Sequence, residues 1–238
     1  MLHLAGLVFR LGRARAGIFF LVIGMLATVF LPQWLAEIRP APMKEEIEQH
    51  LALGVILLVG TLQVFLLVGA AIPEKNAPGF PRILLVRASG GAHLVLGVTL
   101  GQTLLLAAFH GCIGLVLWLK AVFAGWTLEE AWLGPLAVGD LLLRAGTLLA
   151  MGNLFAVIFR SVAPTMMLLG AALTLGHLAP LLVEGSGWGL LFLGFPDLSI
   201  YVDGYVDEGG LLSKLGQTVV YMGGYLVLAA LLMRREGI

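Results

Sequence analysis

Two ionisable residues stand where ionisable residues are costly. Asp140 and Arg144 lie four positions apart in VGDLLLRAG, inside an apolar run from roughly Leu136 to Phe159. On a helix, positions i and i+4 share one face. A charge at the centre of a membrane helix costs about 2.5–3.5 kcal/mol on insertion scales. Pairing lowers that cost, and arginine offers a carboxylate a fork of N–H donors. Such a pair can face a transport pathway or a partner helix. It can centre an ion-coupled carrier or an intramembrane enzyme, or it can be a structural pair that neutralises itself. The residues leave these readings open. Asn153, farther along the run, either extends a polar stripe or bonds to a neighbouring helix. His110 and His177 also lie in apolar runs, and Gln102 precedes His110 by about two turns. A proton relay needs carboxylates and histidines chained along one path. Asp140 alone qualifies, so both histidines read as buried, neutral and hydrogen-bonded.

Other chemistry is excluded by missing patterns. No GxxxxGK[ST] string exists to cradle phosphates. GSG at 185–187 is an incomplete nucleophile elbow with no supporting acid and histidine. The single cysteine, Cys112, closes no intrachain disulfide, and no Cys/His spacing suits a metal. The chain reads as a non-enzyme with no metal and no cofactor of its own. Its net charge of zero gives no reason to expect a nucleic-acid partner.

The elements that hold these residues are apolar rods. Of the 238 residues, 60% are hydrophobic and only 12% charged, with a mean hydropathy of +1.01. Soluble domains carry about 25% charged residues. Six continuous apolar runs appear, at roughly 16–35, 51–72, 94–119, 136–159, 163–183 and 215–233. About 20 residues span the hydrocarbon as a helix. A β-barrel needs alternating segments of about ten. The expectation is an all-α membrane protein of six transmembrane helices in a single domain, 1–238. The first run is too long for a signal-peptide core, so it reads as a retained helix. Arg10, Arg13, Arg15, Lys75, Arg82, Arg87, Arg160, Arg234 and Arg235 fall on one side. Only Arg39, Lys44, Lys120 and Lys214 fall on the other. The positive-inside rule then puts both termini in the cytoplasm of a cell-membrane protein.

The connections add detail. Residues 2–15 read as an amphipathic elbow helix on the inner leaflet or as a plain basic flank. Residues 36–50 hold an acidic outer connection with at most a turn or two of helix. Residues 73–93 form the main inner loop, in which RILLVRA is apolar and flanked by Arg82 and Arg87. Exposed apolar patches of this kind mark docking surfaces. Residues 184–214 begin with an apolar stretch too short to span, which reads as re-entrant or interfacial. An acidic, Gly-rich turn region follows it. Gly97 and Gly101 give a GxxxG spacing for close helix approach, with further small-residue faces at 170–176 and 223–224.

From Gly79 the chain runs GFPRILLVRASGGAHLVLGVTLG. This resembles the stretch of ABC-2 type transporter permeases with an acidic residue, a glycine, a leucine pair, a small polar residue and an LG…G helix start. Glu74, Gly79, Leu84, Leu85, Ser89, Leu96, Gly97 and Gly101 take those places. The chain departs at Ala88, Gly91 and Val98, where the family has proline, arginine and lysine. FPDLSIY resembles the segment before the last helix in NosY-like permeases. The resemblance implies a permease subunit of an exporter, with a second permease subunit, identical or different. Two separate ATPase subunits, which bind ATP and Mg, would dock below. It also implies a cytoplasmic coupling helix around Arg82, Ile83, Leu84, Leu85, Arg87 and Ser89. The alternative is a membrane scaffold or assembly factor for an extracytoplasmic partner.

Overall fold

The computed structural model describes residues 44–71, 91–182 and 208–235, together with Gly24, Leu26 and Phe30. Every regular element among the described residues is helical. In chain order these are α1 (Lys44–Ala71), α2 (Gly91–Phe123), a single turn α3 (Leu128–Ala131), α4 (Leu133–Phe159), α5 (Val162–Leu182) and α6 (Glu208–Arg235). The five long helices coincide with the second to sixth apolar runs. Gly24, Leu26 and Phe30 of the first run are also helical. The remainder of that run, the elbow, the inner loop and the interfacial stretch lie outside the described residues.

The turn or two of helix expected in the outer connection is observed: the acidic KEEIEQH segment continues directly into α1, which starts at Lys44. One boundary differs from expectation. Helix α6 begins at Glu208, inside the region read as a Gly-rich turn. Polar helix formers next to an apolar run extend the helix, because propagation adds one hydrogen bond per residue fixed.

Helices α2 and α4 form an antiparallel hairpin with a defined corner. Gly125 takes φ +83°, the left-handed region in which glycine carries no Cβ penalty. Its N–H donates to Val122 O, and Trp126 N–H donates to Ala121 O, both at 3.1 Å. That pair of bonds is the Schellman stop. Helix α3 follows as one turn. Pro135 then sits in the first turn of α4, where its missing N–H has no helical partner to lose.

Helix α4 is the hub and touches α1, α2, α5 and α6. Val64, Val68, Leu106, Leu149 and Leu169 pack together around its middle. Ile56, Phe109, Ile113, Val138 and Leu141 pack around its first half. Val95, Leu154 and Ala229 pack near its end. Glycines permit the close approach. A Cβ on Gly152 would lie 2.7 Å from Val68 Cγ2 and 3.2 Å from Leu169 Cδ2. One on Gly24 would lie 2.7 Å from the Phe109 ring, so the first run touches α2.

The outside of the bundle is as apolar as the inside. On α1, Ile56, Gly60, Val64 and Val68 are buried at four-residue spacing. Leu58, Leu62 and Leu66, offset by half a turn, are exposed, and Leu58 is 60% exposed. A helix apolar on all sides belongs in a protein core or in lipid. Two helical segments, His93–Phe123 and Leu133–Phe159, are long and apolar enough to cross a membrane. At 1.5 Å per residue they reach about 46 and 40 Å, against about 30 Å of hydrocarbon. Gly54–Gly69, Val162–Thr174 and Thr218–Met233 are shorter apolar stretches.

Candidate functional site

Helix α4 carries two polar layers, Asp140 with Arg144 and then Asn153, about 14–20 Å apart along the helix. The first is the ion pair. Arg144 Nε donates to Asp140 Oδ2 at 2.8 Å. The two side chains are only 9% and 4% exposed. The spacing expected from VGDLLLRAG therefore yields a direct contact on one helix face. Arg144 also lines a pocket of about 20 Å³ with Gly60, Thr61, His110 and Leu141.

His110 reaches the same pocket from α2. Its Nδ1–H donates to Leu106 O at 2.8 Å, because a carbonyl can only accept. The ring stands edge-on to Phe109, with centroids 5.1 Å apart and planes at 86°. Its Nε2 side faces α1: a Cβ on Gly60 would lie 3.1 Å from that atom. Gly60 is what lets α1 lie over the imidazole. The buried, hydrogen-bonded histidine expected from sequence is the one observed. His177 lies on α5, but its side chain is outside the described set.

The second layer joins three helices. Asn153 Nδ2 donates to Thr99 Oγ1 and to Gln102 Oε1, each at 2.8 Å. Gln102 Nε2 donates onward to Leu67 O at 2.7 Å. Leu67 lies near the end of α1, and its carbonyl oxygen has a second lone pair to offer beyond the helical bond. Thr99, Gln102 and Asn153 are all buried. Every polar atom named here has a partner, which is the condition for a buried network to help rather than hurt. Gln102 therefore serves Asn153 and α1, not His110.

The other expected site residues divide in two. Gly97 and Gly101 are both buried on α2. Gly223 and Gly224 instead face open space, with nothing within 4 Å of a Cβ built on either. The expected coupling residues Arg82, Ile83, Leu84, Leu85, Arg87 and Ser89 lie outside the described residues. No group of three His, Cys, Asp or Glu among the described residues could hold a metal ion. The interhelical bond read for Asn153 is observed, but sequence reasoning did not identify Thr99 and Gln102 as its partners. Thr99 and Gln102 share a face at i,i+3 in an apolar run, and that was the available signal. Their partner was not readable, because Asn153 is 54 and 51 residues away.

Comparison with family models, with characterised proteins and with solved structures gives no match.

Proposed function

We propose that this chain is a six-helix membrane permease subunit of the ABC-2 type. It moves a substrate across the cell membrane and draws on ATP hydrolysed by separate ATPase subunits. Both termini lie in the cytoplasm, and a second permease subunit completes the pathway. The observation that carries the membrane reading is the inverted partition of side chains. Thr99, Gln102, His110, Asp140 and Asn153 are buried, while Leu58, Leu62, Leu66, Leu115 and Val220 are exposed, Val220 at 72%. In water that arrangement would expose apolar faces and hide polar groups, which is unfavourable twice over. In a bilayer it is the low-energy arrangement.

The ATPase-coupled reading is supported by the resemblance of Gly79–Gly101 to ABC-2 permeases. An apolar loop flanked by Arg82 and Arg87 is a surface that a motor protein can grip. Pressure there would shift helices between packings that differ by a few kcal/mol. Helix α4, touching four others, would carry the shift to both polar layers.

The test is affinity capture of the full chain from native membranes. The expected result is an ATPase with a phosphate-binding loop in the eluate, lost from Leu84→Asp, Leu85→Asp or Arg87→Asp variants that still insert. If wild-type chain brings down no ATPase, or if the variants retain it, the coupling assignment is wrong.

A further inference from the structure

One ring atom of His110 is left without a bond. The side chain is only 2% exposed, and its Nδ1–H is taken by Leu106 O. In the neutral ring Nε2 is then an acceptor. Among the described residues no donor reaches it. An acceptor buried without a donor is costly. Nε2 lies on the ring edge next to Gly60, and Gly60 and His110 line the same small pocket. Arg144 and Thr61 line it too. Much of the remaining lining, Ile56, Leu141, Ala145 and Leu148, is buried, so the site is interior to the bundle.

We propose that this pocket binds one water molecule, which donates to His110 Nε2 and accepts from the Arg144 guanidinium. The inference does not depend on the permease reading. Size permits it: the pocket measures about 20 Å³, and one water needs about 10–15 Å³. Polarity selects it. A cation there would meet the Arg144 guanidinium. An anion would meet the Nε2 lone pair. A hydrocarbon group would serve neither. The occupant has to donate on one side and accept on the other, and water does both. Arginine carries several N–H donors, so it can hold the Asp140 carboxylate through Nε and serve a further acceptor. Thr61 brings a hydroxyl that can donate or accept, which offers a third partner, the usual number for a buried water. The apolar remainder of the lining gives a second water nothing to bond. The bridge would link the ion pair of α4 to α2 beneath α1, at nearly the strength of a direct bond.

The test is solid-state NMR on the full chain in phosphatidylcholine vesicles at neutral pH. Phe109–His110 is the only Phe–His step in the sequence. Carbonyl-labelled phenylalanine with fully labelled histidine therefore singles out His110. The expected result is an Nδ1–H tautomer whose Nε2 shows the shift of a hydrogen-bonded acceptor and receives magnetisation from water protons. Gly60→Ala puts a methyl 3.1 Å from Nε2 and should abolish that transfer, with Nε2 shifting toward the unbonded value. The wild-type measurement decides even if this variant fails to insert. No transfer from water to Nε2 in the wild-type chain overturns the proposal. So does transfer that persists unchanged in Gly60→Ala, or an Nε2 bonded to a side chain from elsewhere in this chain.

Discussion

The two polar layers of α4 solve the same problem in opposite ways. Asp140 and Arg144 neutralise each other within one helix, four residues apart. Asn153 bonds to another helix instead. It reaches Thr99 and Gln102 on α2, and through Gln102 the backbone of α1. The first arrangement joins two residues of one helix. The second ties three helices at one level and sets their register. A helix that must tilt as a body without exposing charge needs the first kind. A bundle that must return to one packing needs the second.

The largest effect should come from splitting the ion pair. Asp140→Leu or Arg144→Met alone leaves an uncompensated buried charge and should destabilise by about 3–5 kcal/mol. The double variant should recover most of that loss. Thermal unfolding in detergent reads both. If the double variant is as unstable as the singles, the pair is not self-contained. If stability returns but transport does not, the pair belongs to the pathway.

Tightening the junction beside the node should come next. Gly152→Ala pushes a methyl to within 2.7 Å of Val68 Cγ2. Overpacking of this kind costs about 1–3 kcal/mol. Combining it with Val68→Ala should relieve the clash, whereas an unchanged melting temperature for Gly152→Ala alone would show that α1 and α4 do not meet there.

Removing the node amide should have the smallest effect. Asn153→Leu strips Thr99 and Gln102 of their donor at a cost of about 1–2 kcal/mol, since bonds between membrane helices are individually modest. A cycle of Asn153→Leu with Gln102→Leu should give clear coupling. Strict additivity would mean that the two side chains do not bond.

What the sequence made legible follows from the range of each interaction. The ion pair was readable because helix geometry alone brings i and i+4 together. The helical runs were readable because apolar continuity needs no knowledge of neighbours. The stop at Gly125 was also available in the string FAGW, but the third run was read as ending near Leu119, four residues before Phe123. The node was not readable. A buried Asn in one run and a Gln in another offer several pairings, and one chain does not choose among them. The roles of individual glycines were hidden for a related reason. Gly111 and Gly139 face open space, and a lone sequence does not distinguish them from glycines that pack. Gly152 and Gly60, which drew no notice, are the ones pressed against neighbours.

The central claim is that the apolar outer face of the bundle meets lipid rather than water. Cys112 is the only cysteine in the chain and is exposed on α2. It lies about 8 Å from the midpoint of that helix at 1.5 Å per residue. A nitroxide attached there, in vesicles, reports collisions with dissolved oxygen and with a water-soluble nickel chelate. The account predicts strong relaxation by oxygen and almost none by nickel. Relaxation dominated by nickel would place the face in water and contradict it.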